Sequence, residues 1–523
     1  MTRLWKRLDQ KFSLEKEYIS KPSVLQNRGF FYINMIRTLV ILLFLSPVLS
    51  AKPYFDFNSN LRSAYDDALS LRLDMARKKI GQFKVTDPNN VLAYHIENYI
   101  DFFHVFISED PKVFDRLKRN KKSRIDLIKK GDVDSPYYLY SQAEIHLQWA
   151  LARLKFREYL TAFGEISKAF QLLEYNQKRF PDFVANKKSL GVLHALIGTI
   201  PDQYKWGAKL MGMEGTIDQG RKEIEEVLAY SEDNDFYYRD ETIAMYAFVL
   251  FHLSKEQDKA LAILRDNGLD HRSNPLACFV KANLALRSGQ NELAIKMLSE
   301  KPDSEEFLPF PYLDYMLGQA KLQSLDPMAN IHFETFLDQY KGQNYIKNAY
   351  LKLAWHDLIF NNGNRYDHLL TQCLTKGTDH VDEDKSAQRT AHSGKAPNTE
   401  LLKARLLYDG GFYEDAMIVM TEKNDQSLRG HDLLEMNYRL ARIYQALDQL
   451  DESQVYFDRV LSTEDFQTSY LKANSALQMG LSYEKQANVN QAEYYFNLCL
   501  EMRCDEYQRG IHQKAKAGLQ RLR

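Results

Sequence analysis

The 523-residue sequence has few cysteines and almost no excess of charge of either sign, and both features restrict what it can be. Its four cysteines form no CxxC pair and no metal-ligand spacing, so we expect Cys278, Cys373, Cys499 and Cys504 to be small core residues. The formal net charge of -1 gives no electrostatic footprint for nucleic acid, and no nucleic-acid partner is predicted. Hydrophobic residues at 45% and charged residues at 27% are typical of a folded soluble chain.

Catalytic and cofactor motifs are also missing. The sequence contains no HExxH, no GxSxG, no Ca²⁺ loop and no phosphate-binding glycine loop, and its histidines are scattered over helical stretches. We therefore predict no catalytic residue, no metal and no cofactor, and a protein that is not an enzyme. The alternative is an enzyme or carbohydrate-handling protein on a helical solenoid or toroid. That alternative requires carboxylates and aromatic residues from distant helices to cluster in one cavity.

The N-terminal region contains one targeting pattern. Residues 35–51 combine a positive charge at Arg37, a short apolar core and small residues at Ser50 and Ala51, which is the pattern of a secretory signal peptide. An uncleaved anchor over residues 30–49 is the alternative, and basic residues before it would keep the N-terminus in the cytoplasm. Both interpretations predict a body outside the cytoplasm, in the periplasm of a Gram-negative bacterium or held at its inner membrane. Membrane contact is expected through this segment.

A repeat runs through the C-terminal part of the chain. Residues 440–461 and 479–500 align, with small residues at Ala441 and Ser453 matched by Gly480 and Ala492. Two small residues twelve positions apart allow two antiparallel helices to approach closely. This pattern resembles the tetratricopeptide repeat. Related pairs occur upstream at Phe248 and Ala260, Ala282 and Ala294, Gly318 and Ala329, Ala404 and Ala416, with a single small residue at Ala354.

The resemblance predicts an all-α fold, a right-handed α-solenoid of stacked antiparallel helix pairs. Ala76 followed by Pro88, and Ala169 followed by Pro181, suggest second helices that end before a proline. The predicted divisions are 1–34 (a lead, or untranslated if Met35 is the start), 35–51 (signal peptide or anchor), 52–240 (irregular helical repeats), 241–375 (TPR-like repeats), 376–398 (a polar, exposed insert or hinge) and 399–523 (C-terminal TPR repeats).

The stretch 190–220 is unusually rich in glycine, yet it fits no nucleotide-binding loop. We interpret it as a structural corner, with Thr216 or Asp218 capping a helix over residues 221–229. Contact of Trp206 with a membrane surface or a partner is the functional alternative. The stretch resembles a eukaryotic family of TPR proteins associated with lipid droplets and inclusion clearance. The matching residues are Gly191, Pro201, Leu210, Gly212, Gly215 and Gly220.

The whole chain looks like the exported TPR proteins of Gram-negative bacteria, and this resemblance implies a protein-interaction scaffold or adaptor of the cell envelope. In such a scaffold the first helix of each pair lines a groove that holds a segment of a partner protein. The repeat register predicts the groove residues Arg287, Arg405, Tyr408, Arg442, Gln445, Glu484 and Lys485. The alternative is that these side chains belong to ordinary solvated helix faces.

Overall fold

Helices account for the regular structure of the described part of the chain, apart from one isolated β-bridge between Tyr54 and Asn90. The structure is a computed structural model that describes residues 52–200, 205–206, 208–209, 211–422, 428–504 and 506–522. The predictions for residues 1–51 lie outside this part. The predicted all-α fold is confirmed. None of the described helices has the length and apolar character needed to cross a membrane.

The N-terminal helices are α1 (Ser59–Leu69), α2 (Leu73–Thr86), α3 (Leu92–Ser108), α4 (Pro111–Leu117), α5 (Asn120–Ile128), α6 (Tyr137–Lys155), α7 (Tyr159–Arg179), α8 (Ala185–Gly198) and α9 (Ile217–Asp233). The following helices are α10 (Arg239–Phe248, continued by a π-helical turn over Val249–Ser254), α11 (Gln257–Asp266), α12 (Pro275–Arg287), α13 (Asn291–Ser299), α14 (Tyr312–Gln323), α15 (Ala329–Gln339), α16 (Ile346–Phe360), α17 (Tyr366–Thr375), α18 (Asp382–Ser393), α19 (Thr399–Gly410), α20 (Tyr413–Glu422), α21 (Gly430–Ala446), α22 (Leu450–Ser462), α23 (Tyr470–Lys485), α24 (Val489–Glu501) and α25 (Gln508–Arg521).

From α12 onward most helices pack as pairs, α12 with α13, α14 with α15, and so on, and each pair packs against the next. The predicted small residues lie at these contacts. Ala282, Ala294 and Ala492 have no exposed surface, and a Cβ at Gly480 would lie 2.6 Å from the Phe496 ring. The Ser453 hydroxyl, also buried, donates a 2.9 Å hydrogen bond to the Ala441 carbonyl across its helix pair. Small side chains therefore set the spacing between paired helices.

The register assigned to Phe248 is wrong. Phe248 is 42% exposed, whereas its neighbour Ala247 is fully buried and takes the small-residue position. The helix changes to π geometry immediately afterwards, over Val249–Ser254. A π turn has i→i+5 hydrogen bonds in place of i→i+4 bonds, so it shifts the side chains that follow relative to those before it. A fixed count along the sequence cannot anticipate that shift.

The segment 376–398 also differs from the expectation of an exposed insert. Residues 382–393 form helix α18, which packs against α16 and α17 and buries Asp384, Ala387 and Ala391. The two alanines supply the narrow apolar stripe that a short polar helix needs in order to pack. The prediction that this segment is an exposed insert is therefore wrong for helix α18. The division of the chain into domains stays a prediction.

The glycine-rich stretch joins two helices whose backbones almost touch. A Cβ on Gly220 would lie 2.1 Å from the Gly191 carbonyl oxygen, and a Cβ on Gly215 would lie 2.6 Å from the Cα of His194. Thr216 caps α9, since its hydroxyl accepts a 3.0 Å hydrogen bond from the backbone N–H of Gln219. These contacts give the glycines a packing role. Trp206 is 71% exposed, whereas Pro201 and Leu210 lie outside the described residues.

We expect Gly220→Ala to lower the free energy of unfolding by about 2–4 kcal/mol, because its methyl group has to push α8 and α9 apart. Gly164→Ala is the matched control. Gly164 lies within α7, and a Cβ there would meet nothing within 4 Å. The control should gain up to about 1 kcal/mol from helix propensity. Urea denaturation followed by circular dichroism measures both changes, and equal values for the two variants would contradict the close approach.

A buried ion cluster joins the N-terminal helices. Lys188 of α8 has no exposed side-chain surface, and its Nζ lies 3.2 Å from an oxygen of Glu144 on α6 and 3.0 Å from one of Glu241 on α10. The Tyr65 hydroxyl donates to Glu241 at 2.9 Å, and the Tyr99 hydroxyl lies 3.1 Å from the same carboxylate. Burial alone would lower the pKa of Lys188, but Glu144 and Glu241 raise it above its usual value. The sequence predicts a boundary between residues 240 and 241. Glu241, just after that boundary, thus contacts helices that precede it.

Candidate functional site

The seven predicted groove residues lie on the first helices of four pairs. Arg287 ends α12, Arg405 and Tyr408 lie on α19, Arg442 and Gln445 lie on α21, and Glu484 and Lys485 end α23. Two of them, Tyr408 and Arg442, are in direct contact. The others lie nearby or at the edge of the helix stack.

Arg442 links three neighbouring first helices. Its guanidinium donates at 2.7 Å to the hydroxyl of Tyr408 on α19 and at 3.2 Å to the hydroxyl of Tyr438 on its own helix. The Asn474 amide of α23 donates to the same Tyr438 hydroxyl at 2.6 Å. Gln445, one turn further along α21, donates to the Ser482 hydroxyl of α23 at 2.9 Å. Arg442 and Gln445 therefore support the arrangement of the helices.

The remaining predicted residues are held at the surface. Glu484 accepts two hydrogen bonds of 2.6 Å from Arg521 of α25, and Lys485 lies 2.5 Å from Asp448 in an exposed ion pair. Lys485 also borders an open depression of about 380 Å³ that is lined in part by Asp448, Asp451 and Glu452. Arg287 is exposed and donates at 3.1 Å to Asn283 of its own helix. None of these contacts tests partner binding, so the role of the seven residues stays a prediction.

Arg405 belongs to a cluster of cations and aromatic rings. The repeat register predicted Arg405 but not the other members, Lys352 and Trp355. Its guanidinium carbon lies 5.2 Å from the centre of the Trp355 ring, and Nζ of Lys352 lies 4.5 Å from the same ring. Both Lys352 and Trp355 lie on α16. Cations at such distances from an indole face are stabilised by the negative potential of the ring. The pKa of Lys352 is lowered to about 8 by burial and by the nearby Arg405.

Arg439 and Glu435 continue this cluster along α21. Two guanidinium nitrogens of Arg439 donate to one Glu435 oxygen at 2.8 and 3.2 Å. Burial raises the pKa of the Tyr470 phenol at the start of α23, and the positive charges of Arg439 and Arg405 oppose that rise. The charges of Arg405 on α19 and Arg439 on α21 thus both act on Tyr470 of α23. They do so although α21 packs between α19 and α23.

We refer to the residues Lys352, Trp355, Arg405, Tyr408, Asp409, Glu435, Tyr438, Arg439, Arg442 and Tyr470 as the groove. Its four cations outnumber its two carboxylates, so the groove carries two positive charges in excess. Aromatic rings separate these charges. Such a surface is complementary to an extended segment that carries carboxylates or other anionic groups. Across the described residues, no group of three or more His, Cys, Asp or Glu side chains is arranged to hold a metal ion.

The fold and these contacts define an all-α protein built from stacked helix pairs, with cations and aromatic rings gathered on its first helices. Residues 434–465, which cover most of α21 and all of α22, match the family model described as Tetratricopeptide repeat. The predicted TPR pattern is thereby supported for this pair. The search of curated proteins finds no match.

Two solved structures are similar in part. One is the TPR domain of P58(IPK), which is 14% identical, with 80% of this chain and 98% of that chain covered and a TM-score of 0.21. The other is a monomeric mutant of IFIT1 with m7Gppp-AAAA, which is 13% identical, with 82% and 91% covered and a TM-score of 0.27. At these values neither similarity supports an inference about function.

Proposed function

We propose that the protein is a non-enzymatic scaffold whose groove binds an anionic, extended segment of a partner protein. The tetratricopeptide match at residues 434–465 supports a protein-interaction role in general. The observation that carries the proposal is the convergence of Lys352, Arg405 and Arg439 from three helices around aromatic rings. A location in the cell envelope is also proposed, and its support is the signal-like sequence of residues 35–51.

The alternative, an enzyme or carbohydrate-handling protein, would need carboxylates and aromatic rings around an accessible cavity. Such side chains do cluster around Lys188, but Lys188 and Tyr65 have no exposed surface, and Glu144 is 3% exposed. Glu241 is 15% exposed, so the cluster meets solvent at that carboxylate while its lysine and tyrosines stay buried. The geometry therefore favours a stabilising role for the cluster and supports the scaffold.

We expect the double variant Lys352→Gln, Arg405→Gln to weaken binding of an acidic peptide at least roughly tenfold, because the groove loses its excess of positive charge. The probe is a fluorescein-labelled 12-residue peptide of alternating Glu and Gly, titrated at pH 7 and followed by fluorescence anisotropy. Arg442 is left unchanged because its hydrogen bonds to Tyr408 and Tyr438 support the fold.

The matched control is Lys296→Gln, Arg459→Gln, which removes the same charge from the exposed faces of the second helices α13 and α22. The control should bind like the wild type. Equal weakening in both double variants would mean that net charge alone attracts the peptide. Unchanged affinity in the groove variant would refute the proposed site.

A further inference from the structure

Helix α18 lies outside the pairing of its neighbours and is firmly anchored at its start. The carboxylate of Asp384, which is fully buried, accepts hydrogen bonds from the backbone N–H groups of Tyr345 at 2.6 Å and Asn348 at 2.9 Å. These groups belong to the start of α16, where N–H groups have no partner within the helix. The first turn of α18 is thus fixed to the helix that carries Lys352 and Trp355.

The outward side of α18 touches the chain just before α25 through a few exposed contacts. The hydroxyls of Ser386 and Tyr507 lie 3.1 Å apart, and Nε of Arg389 lies 3.1 Å from an oxygen of Glu506. The guanidinium of Arg389 also lies 5.6 Å from the centre of the Tyr507 ring. The side chains of Arg389 and Glu506 are 47% and 34% exposed. Exposed ion pairs of this kind contribute little to stability, so these contacts can break while the Asp384 anchor holds.

These contacts complete a ring of helices. The first helices α16, α19, α21 and α23 pack in that order. The Tyr507 ring packs edge-on against Tyr470 at the start of α23, with 5.2 Å between ring centres. The path α16–α19–α21–α23 therefore returns to α16 through Tyr507 and α18. The cations of the groove lie along this path.

The anchored end of α18 brings a carboxylate to the groove. Burial and Arg405 lower the pKa of Lys352, and the charges of Asp409 and then Glu383, the neighbour of Asp384, oppose that effect. At the other end of the ring, Arg405 and Arg439 act on Tyr470, the residue against which Tyr507 packs. A segment that carries carboxylates would therefore compete with Glu383 for Lys352, and Tyr507 covers part of Tyr470, a residue of the groove.

We propose that α18 and residues Glu506 and Tyr507 form a latch that controls the entry of an anionic partner segment into the groove. The latch rests on the proposed function, since it regulates the same site. Its closed state is the one described by the Arg389–Glu506 and Ser386–Tyr507 contacts. Its open state keeps the Asp384 anchor and frees the start of α25. Only the open fraction of the molecules binds, so weakening the latch raises the rate of association.

The test is a charge swap on the full chain, with the same acidic peptide and stopped-flow anisotropy. We expect Arg389→Glu and Glu506→Arg each to raise the association rate constant roughly threefold or more, and the double variant to return to the wild-type rate. Arg389→Glu is the decisive single variant. It places a negative charge near the site, which would slow an anionic peptide if electrostatic attraction alone set the rate.

Lys385→Glu is the matched control, because it makes the same charge change on the same helix. Among the described ion pairs, Lys385 pairs with the exposed Asp382 and not with a residue of the latch. It should leave the rate unchanged or slow it. Hydrogen exchange of helix α25 beyond its first turn gives a readout without peptide and should accelerate in both single latch variants. If the wild-type protein does not bind the peptide at all, both the proposed function and the latch are refuted. Normal affinity, with Arg389→Glu no faster than Lys385→Glu, refutes the latch alone.

Discussion

Lys188→Met is expected to lower the free energy of unfolding by about 3–5 kcal/mol, the largest effect of any substitution considered for this protein. The change roughly keeps the length of the side chain but removes the positive charge that pairs with both Glu144 and Glu241 at this contact. Glu144 would then stay buried, beside a Glu241 that is 15% exposed, without a compensating charge, and the link from α8 to α6 and α10 would be lost. Guanidinium denaturation followed by circular dichroism at pH 7 measures the loss.

The neighbouring lysine provides the control. Lys187 pairs with Glu226 at 2.7 Å, but the two side chains are 31% and 58% exposed. An exposed ion pair contributes about 0–1 kcal/mol, so Lys187→Met should cost no more than that. If the two variants unfold at the same denaturant concentration, the buried cluster does not stabilise the N-terminal helices.

The second large effect is expected from Ala492→Asp, at about 3 kcal/mol or more. Ala492 is fully buried in the cluster that includes Phe496 and Ala476, and none of the apolar side chains in that cluster can pair with a carboxylate. Because each helix pair contacts mainly its neighbours, the damage should be concentrated at α23–α25. Hydrogen exchange should therefore accelerate in these helices and stay slow in α6 and α8.

Gln491→Asp introduces the same side chain one residue earlier, at an exposed position in the first turn of α24. A negative charge near a helix N-terminus is mildly favourable, so this variant should stay within about 0.5 kcal/mol of the wild type. Equal exchange rates for the two variants would show that the repeat register is incorrect at this helix pair.

Sequence reasoning worked best where one physical cause acts at a fixed interval. Ala282, Ala294, Gly480 and Ala492 were identified from spacing alone, because paired helices can approach closely only at small side chains. It failed at Phe248, where a π turn shifts the register, and at α18, whose buried carboxylate binds backbone groups far away in the sequence. A long-range hydrogen bond of that kind leaves no periodic signal.

The groove was predicted in part for the same reason. Arg405 and Arg442 each follow a small residue directly, and the register identified both. Lys352 and Arg439 come two residues before Ala354 and Ala441, so they share a second common position that the sequence also contains. The sequence does not indicate that Lys352 lies over the Trp355 ring or that Arg439 pairs with Glu435. These contacts hold the two cations in place, and only the structure identifies them.

The four buried cysteines have a consequence for the redox chemistry of the chain. Cys278, Cys373 and Cys499 are free thiols, and burial raises their pKa to about 12. A thiol attacks or is oxidised mainly as its thiolate, and these three form almost none at neutral pH. In the folded chain these three thiols are therefore weak nucleophiles and poor targets for oxidation, in an oxidising as in a reducing compartment.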